Sequence, residues 1–397
     1  MVNCMEMVTY SRLEMQHYLK KFSFENTRGD DLWKAFDEVV EGAEGPDGGK
    51  LSMVDFGPQW SKQMGFPLVT VEHFNSTTLR IRQERYMKVP HATELRKYRN
   101  SKYGYKWDVP LWYQWDDKQV YYKWLKREEP LYLDRKDAPI VINVDRRGYF
   151  VQNYDSDGWK RIIRQFDENH RVYSSHTRYT VISDAFNAAL IGRLDYKTVF
   201  ALLKYLSKEE NDLVWEAVTR GLDSIKHFFG DKSGESGRKW ADLYSNKIME
   251  RRYTSVYSEY ISEEGIGEFS LLRRTINETA IEQIGFVFAG VAYNPISQEF
   301  LTNFLIENWE AIYERLGHHD YHMQLSTVIG ACLSVMHSNA EIMLVKHFQE
   351  INPIAQQFSI INEKIEEAQH RIAWLKKHSK TLTEFFKSEL GQTETFS

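Results

Sequence analysis

The sequence predicts an α+β multidomain chain, on three observations. Helical periodicity opens it, an alternating pattern takes over near residue 66, and helical periodicity returns after residue 158 and runs to the end. The expected order is a short helical N-terminal piece over residues 1–50, a β-sandwich over 51–155 and an α-helical solenoid over 156–397. At roughly 100–200 residues per domain, 397 residues are enough for two or three domains, each with a core that needs no staples.

Leu13 to Val40 reads as two helices broken by Ser23 to Gly29, with Asp30 or Asp31 available to cap the second. Glu41 to Lys50 (EGAEGPDGGK) is rich in glycine and acid and reads as a surface loop. Strands follow in short β-branched and aromatic runs: Leu79 to Arg82, Val109 to Trp115, Val120 to Leu125 and Ile140 to Val144. Much of the aromatic excess, 23 Tyr, 22 Phe and 11 Trp, sits in this stretch.

Beyond Gly158 the apolar stripes are helical. Trp159, Ile162, Ile163 and Phe166 share one face, and Tyr179, Ile182, Phe186, Ala189 and Leu190 make the next, stopped by Gly192. Asp195 is placed to cap a helix carrying Val199, Leu202, Leu203 and Leu206, and a further helix carries Val214, Ala217, Val218, Gly221, Leu222 and Ile225. Helix after helix joined by short turns is the pattern of a solenoid, although no strict repeat length is present. Gly230 to Gly237 is expected as an exposed break. Two long amphipathic helices should close the chain, one with Leu305, Trp309, Ile312, Tyr313 and Leu316, the other with Ile361, Ile365, Ala368, Ile372 and Leu375, before a fraying tail after Leu390.

With 51 basic and 56 acidic residues the net charge is −5, which fits neither a basic nucleic-acid binder nor a disordered acidic segment. Cys4 and Cys332 cannot build a disulfide framework or a cysteine zinc site, and Cys332 lies in an apolar helical run that predicts burial. No basic segment followed by an apolar run opens the chain, and no stretch reaches the ~18 apolar residues of a membrane span. The sequons at Asn75 and Asn277 would matter only on a secretory route.

None of the 13 histidines begins H-E-x-x-H, the motif that places two zinc ligands one helical turn apart with a general base between them. His318, His319 and His322 are the densest cluster, and His318 and His322 could share a helical face and bind a divalent ion. Their position after Gly317 favours a solvated helix end over a metal site. Asn153 to Gly158 (NYDSDG) matches the first half of a calcium loop, but the twelfth position, which should be a bidentate Glu, is Arg164. Asp155 and Asp157 are better read as a turn and helix cap. Phosphate-cradling, dinucleotide-binding and nucleophile-elbow motifs are absent from the sequence.

Several stretches together carry a family resemblance. Tyr18 to Trp33 (YLKKFSFENTRGDDLW), Trp60 to Val71 (WSKQMGFPLVTV), Gln83 to Lys88 (QERYMK), Val109-Pro110-Leu111 and Gly148 to Trp159 (GYFVQNYDSDGW) are similar to the region downstream of the catalytic domain in zinc aminopeptidases of the aminopeptidase N and endoplasmic-reticulum aminopeptidase type. The resemblance continues through Ser174 to Phe186 (SSHTRYTVISDAF), Leu194-Asp195-Tyr196, Lys204-Tyr205-Leu206, Asn294-Pro295, Asn308-Trp309 and Ile361 to Trp374, in family order over nearly the whole chain.

The resemblance implies that residues 1–50 correspond to the end of a thermolysin-like catalytic domain, 51–155 to the sandwich and 156–397 to a superhelical, ARM/HEAT-like bowl. It also implies that the zinc-binding helix, its downstream Glu ligand, the G-A-M-E-N loop and the oxyanion-stabilising Tyr all precede the YLKKFSFEN-like segment. The chain is therefore expected to carry no catalytic, cofactor-binding or metal-ligating residue, and no zinc, although complete family members hold zinc. Ser183, before Asp184, stands where the family usually shows an acid, and fewer helices lie between Ile225 and Asn294 than the family has, so either the solenoid is shortened or the coding sequence has lost exons there. In the family this region covers the active-site cavity and helps to select peptide length. The expected role is thus a non-catalytic one that accommodates peptides or binds partners, including aminopeptidase-like chains. The alternative is an incomplete record of an active zinc aminopeptidase that removes N-terminal residues. Full-length relatives are membrane-bound, secretory or cytoplasmic, which leaves the compartment open.

Overall fold

The computed structural model describes residues 14–40, 42–89, 99–229, 237–250, 272, 276, 281–292, 301–334 and 336–391. It divides into two compact units, the first ending at Val218 and the second continuing from Thr219. The architecture is mixed α and β with two small sheets. No helix among the described residues is long and apolar enough to cross a membrane. Cys4, Asn277, Asn294, Pro295 and the stretch 230–236 lie outside the described residues.

The first unit begins with helix α1 (14–21), α2 (Gly29–Val39) and α3 (Met53–Ser61). Arg28, not an aspartate, occupies the N-cap of α2. Asp31 works from inside the first turn, where its carboxylate accepts the Arg28 amide at 2.9 Å. Asp37 near the end of α2 accepts the Met53 amide at 2.6 Å and so fixes the start of α3. Phe36, Val40, Leu51 and Met53 are buried together against Tyr18, Trp33, Phe56 and Trp124, so the opening helices dock on the strand that carries Trp124. Gly57 is required here: a Cβ would stand 2.2 Å from the Trp33 ring.

Seven strands follow: β1 (Pro67–His73), β2 (Thr78–Arg85), β3 (Val109–Gln114), β4 (Val120–Leu125), β5 (Leu131–Asp134), β6 (Val141–Ile142) and β7 (Val151–Tyr154). One sheet has the order β5-β2-β1-β7, with β7 parallel to β1, and the other has the order β4-β3-β6. Every residue of β3 is buried, the apolar run Val109 to Tyr113 and the polar Gln114 alike, whereas β2 alternates. The run from Ile140 to Val144 keeps only two strand residues, because the chain turns left-handed at Asn143.

Polar side chains tie the two sheets together. Gln83 of β2 donates to the carbonyls of Trp107 (2.6 Å) and Lys126 (3.1 Å) and accepts the Trp107 amide at 2.9 Å. The hydroxyl of Tyr154 on β7 accepts the amide of Ile142 on β6 at 2.8 Å.

Helices α4 (Ser156–Asn169), α5 (Ser175–Leu190) and α6 (Tyr196–Leu202), with the start of α7 (Asp212–Phe229), complete this unit. Trp159, Ile162 and Phe166 are buried on α4 as their spacing predicts. Gly192 adopts φ +71° after α5, and Asp195 caps α6 by accepting the Lys197 amide at 3.0 Å. α5 departs from a simple amphipathic helix: Thr177, Arg178, Thr180 and Asp184 are buried as well as its apolar stripe.

In the second unit, α8 (Gly237–Glu250), α9 (Ile281–Ala292), α10 (Leu301–Glu307), α11 (Trp309–Leu316), α12 (His322–Leu333), α13 (Asn339–Ile351) and α14 (Ser359–Glu389) follow the end of α7. The stretch expected to hold two closing helices therefore holds five. Asn308 breaks the first of them, its side chain donating to the Phe304 carbonyl at 2.8 Å, and a capping box between Ser338 and Glu341 starts α13. A shared core includes Phe288, Phe304, Leu305, Trp309, Ile312, Cys332, Val345, Ile361 and Ile365. Arg371 of α14 is buried and donates to the carbonyls of Met336 (2.7 Å) and Ser334 (2.8 Å), satisfying the chain where α12 ends.

Docking of the opening helices has a direct check. Amide hydrogen exchange in Gly29–Val39 is expected to be much slower in the intact chain than in a peptide of the same sequence, and equal rates would contradict it.

Candidate functional site

The sequence motifs with chemical potential resolve into structural roles. In the calcium-like loop, Asn153 accepts the Trp159 indole N–H at 3.0 Å. Asp155 is the N-cap of α4: one carboxylate oxygen accepts the Gly158 amide at 2.8 Å, and the other accepts the His73 amide at 2.7 Å and contacts His73 Nδ1 at 2.8 Å. Burial works against its charge, but these hydrogen bonds prevail and hold the carboxyl below the usual range. Asp157 lies inside the helix, not at the cap, and pairs with Arg161 at 2.9 Å and with His73 Nε2 at 3.3 Å. The carboxylates are thus turned toward a histidine and an arginine.

The histidine cluster is not one face of a helix. His318 precedes a single 3₁₀ turn and His322 opens α12 with its ring 5.7 Å from that of Phe358, while His318 lies 3.3 Å from Asp320 in solvent. Cys332 is fully buried, and burial raises its thiol far above the reactive range. Asn75 is exposed on the β1–β2 turn. Among the described residues no group of three or more His, Cys, Asp or Glu could hold a metal ion.

Two buried polar constellations join residues far apart in the sequence. Arg178 of α5 grips Glu209 with both prongs, at 2.8 and 3.0 Å, and donates to the Tyr173 carbonyl at 2.6 Å. Glu209 also accepts the Tyr205 hydroxyl at 3.0 Å and the amides of Glu210 and Asn211 at 3.0 and 2.9 Å, just ahead of α7. Burial would raise the Glu209 carboxyl, but Arg178 and the Asn211 amide bring it below its ordinary value.

The second constellation centres on Asp184, wholly enclosed between α5 and β7. Its carboxylate accepts the Gln152 amide at 3.1 Å, and burial outweighs that bond and pushes its pKa up to about 7. Beside it, the Tyr154 hydroxyl donates to Gln152 Oε1 at 2.6 Å. No periodicity could have marked these residues, because a buried polar group is identified by partners remote in sequence.

Residues 139–281 match the family model described as the ERAP1-like C-terminal domain. An aminopeptidase N of Haemonchus contortus is 35% identical over an alignment taking in 94% of this chain and 49% of the nematode protein. The chain contains an aminopeptidase-family C-terminal region. An aminopeptidase-like protein of Caenorhabditis elegans is 33% identical over 70% of this chain and 25% of its own, and human glutamyl aminopeptidase is 30% identical over 54% and 22%. The chain thus spans about half the length of the Haemonchus relative and less of the others. That alignment runs over 482 positions, so within it the nematode aminopeptidase has residues with no counterpart in these 397.

Asp184 gives this aminopeptidase-family region a testable pH response. The folded carboxyl titrates at about 7 and the unfolded one near 3.8, so the fold favours the protonated form and loses stability as pH rises through that window. Asp184→Asn, which keeps the shape and cannot ionise, is expected to gain on wild type in urea unfolding as pH rises from 3.8 to about 7, and to hold a constant advantage above that. An advantage that does not change with pH would contradict the assignment.

Proposed function

We propose that this chain is a non-catalytic, peptide-accommodating or partner-binding portion of the aminopeptidase type, in which the two sheets form a sandwich and the helices from α4 onward a shortened solenoid. The observation that carries the reading is the alignment of 94% of the chain with half of an aminopeptidase N, in a sequence that contains no H-E-x-x-H. Successive helices can line one concave surface, which suits a role in holding a peptide rather than cleaving it. On this reading the chain needs no zinc or other cofactor, and its partners are peptides or aminopeptidase-like chains.

A second reading is favoured by the same coverage: the sequence is part of a longer, active zinc aminopeptidase that removes N-terminal residues from peptides. An in-frame H-E-x-x-H segment upstream in the coding sequence would decide for it.

The test of the first reading is direct. The purified chain, incubated with zinc and aminoacyl-coumarin substrates, is expected to bind no stoichiometric metal and to release no coumarin. Either signal would overturn it.

A further inference from the structure

The turn joining β6 to β7 gathers three of the non-glycine residues that have positive φ among the described residues. Asn143, Asp145 and Arg146 all adopt the left-handed region, with φ of 58°, 56° and 55°. Asparagine and aspartate tolerate that conformation, whereas an arginine there is uncommon. The conformation is imposed from the inner side. Asn143 accepts the Gly148 amide at 2.8 Å and donates to the Phe150 carbonyl at 3.0 Å, and the Asp145 amide donates to Thr177 Oγ1 at 3.0 Å. Ser174 donates to the Asp145 carboxylate, which also pairs with Arg147 at 3.2 Å. Such strain persists only where the surroundings over-determine it, and it clusters at functional sites.

The side chain presented is Arg146. It is exposed, and among the described residues its guanidinium makes no ion pair and no side-chain hydrogen bond. Its contact is the ring of Tyr179, 5.4 Å away. Arg146 and Tyr86 both lie within electrostatic reach of the buried Asp184, and Tyr86 begins an aromatic row. Tyr86 stacks on Phe66 at 5.1 Å, and Phe66 meets Tyr149 edge-on at 5.2 Å. Tyr149 is 70% exposed although it stands three residues from Arg146 on the same turn. An exposed guanidinium backed by an aromatic ring, with a solvent-facing tyrosine three residues along the same turn, is complementary to a carboxylate flanked by an apolar group.

We propose that this surface docks acidic peptides, a carboxylate side chain meeting Arg146 and the apolar side chain beside it packing on Tyr149. This deepens the peptide-accommodating reading and rests on it.

The experiment uses the full chain and fluorescence anisotropy with two short labelled peptides, capped at both ends so that no terminal charge contributes. One carries a Glu-Phe pair and the other Gln-Phe in its place. The acidic peptide is expected to bind about tenfold more tightly, the worth of one hydrogen bond to a charged group. Arg146→Gly should abolish that preference while keeping or raising the thermal midpoint, because glycine adopts the left-handed conformation without strain. Arg146→Gln should also lose the preference, and Tyr149→Ala should weaken both peptides. Equal binding of the two peptides to wild type, or an undiminished preference in Arg146→Gly, overturns this site and leaves the peptide-accommodating reading standing. Binding of neither peptide overturns both.

Discussion

The first unit depends on the backbone of β7 being answered on every side by another element. Val151 to Tyr154 pair in parallel with β1, the Tyr154 hydroxyl accepts from β6 in the other sheet, and the Gln152 amide is taken by Asp184 of α5. The next residue, Asp155, caps α4 and accepts the amide of His73 at the end of β1. Four residues and a cap therefore join two sheets and two helices. All of β7 is buried, so water cannot replace a lost partner, and an unmatched amide there costs about 1–3 kcal/mol. The enclosure that makes the seam firm also disfavours the Asp184 charge, which is why that carboxyl titrates near neutrality.

The same seam accounts for the strained turn before it. Ile142 must end β6 where the Tyr154 hydroxyl can receive its amide, and Val151 must begin β7 in register with Leu68. The chain has eight residues in which to change sheets, and it does so with left-handed residues braced by Ser174 and Thr177 at the start of α5. This turn is held on its inner side, while Arg146 and Tyr149 are exposed on its outer side.

The periodic features were legible in the sequence. The stripes of α4 and of the helix with Val214 and Val218 are buried as their spacing predicts, and β2, β3 and β4 lie where β-branched and aromatic residues cluster. Resemblance by motif order agrees with the family match over residues 139–281 and the broader alignment to aminopeptidase N. What periodicity could not reveal were short strands and polar partners. β5 and β7 have four residues each, too few for a period to register, and β7 is polar at Gln152 and Asn153 despite full burial. Arg178 and Asp184 carry charges that a pattern reading assigns to solvent. Their partners, Glu209 and Gln152, are 31 and 32 residues away, a separation only the fold can close. The one helix expected from Leu305 to Leu316 became two because Asn308 turns its own side chain back to Phe304, a local choice that the apolar stripe conceals.

The β7 seam is probed most directly by urea unfolding of Tyr154→Phe, which removes one oxygen and leaves the ring in place. The Ile142 amide and Gln152 Oε1 would then be buried without their partner, so a loss of about 2 kcal/mol or more is expected, and crossing the variant with Asp184→Asn should give effects that do not add. A loss below about 0.5 kcal/mol, or strict additivity, would show that the sheets and helices of this unit are held together by something other than the polar seam along β7.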